Sequence, residues 1–191
     1  ADEFASTIDR MTGKSGGKKE VEAAVDTLFS FAAWADKFDG AAKGVPMRGV
    51  ALAMRESVGR IAALCPDATP LLGLIQPMGA ALAIGNTITL VASHPFPLAA
   101  TDFYQVLETS DVPGGVVNIL TGDHSELAPT LGNHANLDAV WCLSDPEHKA
   151  VVEACSAGNL KRTWNGARNE DHRAWLEAAT EIKTVWVPYG D

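Results

Sequence analysis

The sequence is short of positive charge: 15 lysines and arginines stand against 24 aspartates and glutamates over 191 residues, for a net charge of -9 and a pI near 4.9. So acidic a chain argues against partners such as nucleic acid or an anionic membrane face, which need a basic patch. Long apolar runs are missing too. None reaches the roughly 18 residues of a membrane span, and the N-terminus lacks the charged-then-apolar order of a signal peptide. A cytoplasmic location is the expectation. Cysteine is scarce, and Cys65, Cys142 and Cys155 lie in apolar surroundings without CxxC or zinc-ligand spacing, as reduced, buried thiols do. The five histidines, His94, His124, His134, His148 and His172, are scattered likewise. No metal site and no catalytic cysteine are expected, and the histidines are assigned to the surface or to helix ends.

What is present is 47% hydrophobic content, enough for one α/β core. Residues 1–19, with Gly13, Gly16 and Gly17 close together, read as a flexible linker. From Glu20 to Lys37 the apolar residues Val21, Val25, Leu28, Phe29, Ala32 and Ala33 recur at helical spacing, and Gly40 follows as a stop. Met47 to Ala63 has the period-two character of strands, as in Val50, Leu52 and Met54.

Beyond Pro66 helix and strand alternate. Helices are predicted at Pro70–Ile84, Leu98–Glu108, Ser125–Leu131, Pro146–Ala157 and His172–Thr180. Strands are predicted at Thr87–Val91, Val116–Leu120, Ala139–Leu143, Lys161–Trp164 and Ile182–Val187. Gly114-Gly115 reads as the turn feeding one of them. Strands such as Val116-Val117-Asn118-Ile119-Leu120 are apolar on both faces, as a parallel sheet covered by helices requires. The fold class is α/β, a doubly wound, Rossmann-like parallel sheet.

Several stretches, Phe31 to Gly40, Ala80 to Thr87 and Val112 to Gly122 among them, are similar to aldehyde dehydrogenases. Phe31 to Gly40 looks like the end of the family's N-terminal helix, and Glu56-Ser57-Val58-Gly59 resembles its strand entering the cofactor domain. Ala80-Ala81-Leu82-Ala83-Ile84-Gly85-Asn86-Thr87 and Val112-Pro113-Gly114-Gly115-Val116-Val117-Asn118-Ile119-Leu120-Thr121-Gly122 are closer still, in the right order and spacing. The resemblance runs from about Phe31 to Lys161 and returns at Ile182 to Val187, similar to the family's closing oligomerisation strand. The ending Thr184 to Asp191 resembles family-16 aldehyde dehydrogenases, whose chains carry a second, degenerate dehydrogenase-like region. The resemblance implies three parts: a linker at 1–19, a pseudo-cofactor domain at 20–165 with a helix and a β hairpin at about 46–60, and a C-terminal helix and oligomerisation strand at 166–191. The catalytic domain, due between Arg162 and His172, is missing.

The same resemblance marks the departures. Asp67-Ala68 replaces the family's Trp-Asn, so the amide that would hold an oxyanion is lost at Ala68. Val91 and His94 stand where a lysine and a glutamate face the adenosine ribose. Losing two charge-assisted hydrogen bonds of about 1.5 to 3 kcal/mol each weakens binding by roughly two to four orders of magnitude. Ser144-Asp145 replaces the Gly-Ser that faces the pyrophosphate, and Ser144, Pro146 and Glu147 read as a capping box closing that helix start. His124 stands at a glycine position, and Trp164-Asn165-Gly166-Ala167 replaces the general-base glutamate.

The expectation is therefore a noncatalytic domain of structural or assembly role, with no catalytic residue, no metal and NAD binding lost or very weak. Its partners would be a second copy, as a homodimer, or an upstream catalytic aldehyde dehydrogenase domain. The interface would be Ile182, Lys183, Thr184, Val185, Trp186 and Val187, a strand too apolar for an open edge. The alternative is a residual NAD-type nucleotide-binding or regulatory module.

Overall fold

The computed structural model describes residues 1–46, 48–166 and 171–188. In chain order the elements are α1 (Asp2–Thr12), α2 (Gly17–Trp34), β1 (Ala41–Gly44), β2 (Gly49–Ser57), β3 (Arg60–Leu64), α3 (Leu72–Ala83), β4 (Thr87–Val91) and α4 (Leu98–Glu108). Then come β5 (Val117–Leu120), α5 (His124–Asn133), β6 (Ala139–Cys142), α6 (Pro146–Ser156), β7 (Arg162–Trp164), α7 (His172–Ala178) and β8 (Thr180–Pro188).

Five strands form a parallel sheet in the order β5-β4-β3-β6-β7. The centre is β3, where Ile61, Ala62, Ala63 and Leu64 are all at most 1% exposed. Alternation sends Ile61 and Ala63 into one core with Leu74, Ile75, Met78, Ala99, Phe103, Trp141 and Trp175. Ala62 and Leu64 enter the other, with Val91, Ala128, Val140 and Val152. The sheet is thus doubly wound, with α5 and α6 on one face and the remaining helices on the other. Burying each large aliphatic or aromatic side chain contributes about 1.5 to 3 kcal/mol. The chain steps from β3 out to β5 and returns through α5 to β6 on the opposite side of β3. In open α/β sheets ligands lie outside the strand carboxyl ends at such a reversal.

Residues 1–19 are not a linker, which corrects the reading of their glycines as flexibility. The stripe Phe4, Ile8 and Met11 packs α1 onto the main core, and Phe4 meets Phe103 edge-on at 6.5 Å. Gly13 ends α1 in the left-handed conformation at φ 68°, and its amide donates to the Asp9 carbonyl at 3.0 Å. Gly16 is the N-cap of α2. The glycines therefore punctuate two helices.

A second, three-stranded antiparallel sheet has the order β1-β2-β8. Its hairpin joins Ala41–Gly44 to Gly49–Ser57, earlier than the 46–60 expected, because β3 belongs to the parallel sheet; Met47 lies outside the described residues. The whole of β2 pairs with β8, from Gly49 opposite Pro188 to Ser57 opposite Thr180. Of the ending similar to family-16 enzymes, Tyr189, Gly190 and Asp191 lie outside the described residues.

Candidate functional site

The loops after β3, β4 and β6 and the turn between α1 and α2 enclose a cleft of about 650 Å³ at the reversal point. Its walls include Asp67, Ala68 and Thr69 after β3, Phe96 after β4, Ser144 and Asp145 after β6, and Lys14, Ser15, Lys19 and Glu20 from the N-terminal helices. A ligand entering here would meet helix N-termini, the usual seat of an anion. Two of them are already taken by carboxylates of the chain itself. Glu20 Oε1 accepts from the amides of Leu71 at 2.8 Å and Leu72 at 3.0 Å, closing the start of α3. Asp9 Oδ1 accepts from Gly16 at 2.9 Å and Gly17 at 2.7 Å, closing the start of α2. Burial pushes the Glu20 carboxyl above its usual range, and the Leu72 and Leu71 amides pull against that shift.

The positions singled out in the sequence fall around this cleft and behind it. Ala68 lines it and offers no side-chain donor, while the neighbouring Asp67 carboxylate accepts from Ser93 Oγ at 2.7 Å. Val91 is 0% exposed at the end of β4. His94 is exposed and adds to the field of His124 on Asp123, whose carboxyl is held low first of all by the Ser125 amide. His124, assigned to the surface or to a helix end, is the first residue of α5 and is 3% exposed, with Nε2 2.8 Å from the Ala92 carbonyl. Its imidazole fills space that a glycine would leave open beside β4.

The capping box at Ser144 does not form. Proline fits the first helical turn because it has no amide to place, so α6 begins at Pro146 and Asp145 becomes its N-cap, without a side-chain cap bond. Ser144 turns to His148, with Oγ 2.7 Å from Nδ1. On the other side of that ring Ser125 Oγ stands 3.3 Å from Nε2. His148 thus bridges the first turns of α5 and α6, and the His124 ring lies edge-on at 5.8 Å. Sequence reasoning passed over Asp9, Glu20, Ser125 and His148. The four-residue spacing of Ser144 and His148 was a legible signal; the contact with Ser125, 23 positions away, was not.

Among the described residues no group of three or more His, Cys, Asp and Glu side chains is arranged to hold a metal. Cys65 and Cys142 are buried and Cys155 is half-buried. Burial raises the thiols of Cys65 and Cys142 above their usual range, the opposite of an activated nucleophile. Of Trp164 to Ala167, Ala167 lies outside the described residues; Asn165 Nδ2 donates to Glu153. Gly115, at φ 84°, makes the turn before β5.

The interface positions form β8. Ile182 is 51%, Trp186 56% and Val187 42% exposed. Lys183 pairs with Glu56 at 2.9 Å, and Thr184 and Val185 lie opposite Ala53 and Leu52. Among the described residues β8 pairs only with β2, so its outer edge is open.

A sequence profile of the aldehyde dehydrogenase family matches residues 1–167, and so includes the N-terminal helices. Cytosolic 10-formyltetrahydrofolate dehydrogenase of Xenopus tropicalis is 31% identical over 150 residues, covering 76% of this chain and 17% of that protein. Retinaldehyde dehydrogenase 3 of Homo sapiens is 32% identical over 144 residues, 75% of this chain and 28% of that one. Among solved structures, lactaldehyde dehydrogenase from Escherichia coli superposes with a TM-score of 0.80 at 22% identity, over 84% of this chain and 34% of that one, a likeness of fold. PnpE in complex with nicotinamide adenine dinucleotide gives 0.79 at 26% identity, over 84% and 34%. The chain spans between 17% and 34% of the length of these four relatives.

Proposed function

Because this chain belongs to the aldehyde dehydrogenase family, we propose that it uses the family's cofactor-domain scaffold for assembly and is noncatalytic in aldehyde oxidation. The observation that carries this reading is the open outer edge of β8, nine residues long and bearing the exposed Ile182 and Trp186. Unpaired strand edges with apolar side chains recruit a further strand. The partner is a second copy of the chain or an upstream catalytic aldehyde dehydrogenase domain, in the cytoplasm. No helix among the described residues is long and apolar enough to cross a membrane.

The absence of aldehyde chemistry is part of the same reading. Ala68 offers no oxyanion donor, the buried thiols are not activated, and Glu20 and Asp9 occupy helix starts toward which a dinucleotide phosphate would turn. These residues do not fit NAD. A second reading, a residual nucleotide-binding or regulatory module, is favoured by the cleft at the sheet reversal and by the likeness to PnpE with its dinucleotide.

Two measurements separate the readings. Sedimentation at micromolar concentration is expected to show a dimer that Trp186→Glu converts to monomer; a monomeric parent chain removes the self-association arm and leaves docking on a catalytic domain to be tested by co-sedimentation. Calorimetric titration with NAD is expected to give no heat up to about 1 mM, an affinity weaker than roughly 4 kcal/mol. A micromolar Kd would replace the assembly reading with the second.

A further inference from the structure

The bridge between α5 and α6 has the parts of a nucleophilic site independent of aldehyde chemistry. We propose that Ser125 is an activated nucleophile, with His148 as its general base and Ser144 as the group that orients the imidazole, and that the site accepts small uncharged or cationic carboxylic esters. The arrangement rests on two contacts in series. In the proposed tautomer His148 gives its Nδ1–H to Ser144 Oγ, 2.7 Å away. That tautomer presents the Nε2 lone pair to the Ser125 hydroxyl at 3.3 Å, in the looser range found before substrate binds.

Access and electrostatics suit the role. Ser125 is exposed on the first turn of α5, while His148 is half-buried and held from both sides. The Asp145 carboxylate makes no cap bond, and since Pro146 has no amide and the His148 and Lys149 amides bond the Asp145 carbonyl, the Glu147 amide is the first-turn donor left for a developing oxyanion. Asp123, Glu126, Asp145 and Glu147 on the same two helix starts disfavour anionic substrates.

In the acyl-transfer step Ser125 Oγ bonds to the ester carbonyl carbon as its proton passes to His148 Nε2. Collapse breaks the carbon–oxygen bond to the alcohol, which leaves with that proton. Water then repeats the sequence, delivering a carboxylic acid and restoring the serine. Ser144 carries no charge, so it fixes the ring but stabilises the imidazolium less than a carboxylate would.

The test is reaction of the full chain with a small uncharged alkyl fluorophosphonate. Ser125 Oγ bonds to phosphorus, fluoride leaves and His148 takes the proton. Peptide mass mapping is expected to place the adduct on Ser125. His148→Asn is expected to slow labelling by about 100-fold or more, the usual contribution of a general base. Ser144→Ala is expected to slow it by about 10-fold, with recovery in Ser144→Thr, which keeps the hydroxyl. Ser125→Ala, at an exposed position, is expected to keep the parent melting temperature and lose both the label and p-nitrophenyl acetate hydrolysis. An unlabelled Ser125 after prolonged exposure of the folded parent chain overturns the proposal, as does labelling at an unchanged rate in folded His148→Asn. Either result leaves the triad as a bracket between two helices.

Discussion

Asn86 shows how much one side chain can hold in this fold. It is 1% exposed; its Oδ1 accepts from the Gly59 amide at 2.8 Å, and its Nδ2 donates to the carbonyls of Ala81 and Ala179. It therefore joins the entry to β3, the end of α3 and the end of α7. Asn86→Ala leaves the Gly59 amide without that partner, an expected loss of about 2 to 3 kcal/mol. For a chain of this size that lowers Tm by roughly 4 to 12 °C, readable by calorimetry. Glu20 gives a prediction in pH. Burial raises its folded pKa, so the native state holds the proton more tightly than the unfolded chain does. The ionised group lowers stability at neutral pH, and the loss is relieved as pH falls through the folded pKa. Glu20→Gln keeps an oxygen for the Leu71 and Leu72 amides without the charge. Urea denaturation is expected to find it at least as stable as the parent at pH 7, with the gap closing toward pH 4; a less stable variant at pH 7 would contradict this. Asp138 runs the other way. Its carboxyl is held low by Arg60, so its contribution is present above the unfolded pKa and lost as pH falls through the folded one.

Between elements, α2 fits closely on α3. A Cβ at Gly79 would stand 2.5 Å from Cδ2 of Phe31, which is 1% exposed. Gly→Ala in a helix interior ordinarily gains up to about 1 kcal/mol. Here overpacking of about 1 to 3 kcal/mol opposes that gain, and Gly79→Ala is expected to be net destabilising in thermal denaturation. Legibility in the sequence followed the same division between local pattern and cross-chain contact. The spans Thr87–Val91 and Leu98–Glu108 are the observed β4 and α4, since their apolar pattern and flanking breakers are local signals. The helix at 2–12 was missed because a stripe of three apolar residues was outweighed by nearby glycines, whose capping role depends on their φ values. The start of α6 at Pro146 was legible, but its cap was misread because Ser144 has two hydrogen-bonding options. The capping pattern is visible in the sequence, whereas the imidazole that wins is placed by tertiary packing.

At the scale of the molecule, the α/β class and the parallel sheet were legible because consecutive apolar strand residues admit few other architectures. The boundary between the two sheets was not, since β2 and β3 are divided by only Val58 and Gly59. Gly59, at φ 123°, lets the chain leave one sheet for the other. The two sheets differ in self-sufficiency: the five-stranded one is covered on both faces, whereas the three-stranded one depends on β8 along all of β2. Removal of residues 181–191 is expected to unpair β2 and raise amide exchange through Gly49–Ser57, while Ile61–Leu64 stays protected. Loss of protection throughout β3 would mean that the two sheets unfold as one. Four of the five tryptophans divide along the same line, the fifth, Trp34, being half-buried beside Phe38. Trp141, Trp164 and Trp175 stack edge-on with ring centres 4.6 to 5.9 Å apart behind the parallel sheet, while Trp186 is 56% exposed on the strand with the open edge. Their emission is expected to be heterogeneous. The clustered indoles exchange excitation and emit to the blue, and Trp186 supplies the red, quencher-accessible fraction. Covering the β8 edge would move that fraction alone, so the chain carries an intrinsic optical gauge for the proposed assembly.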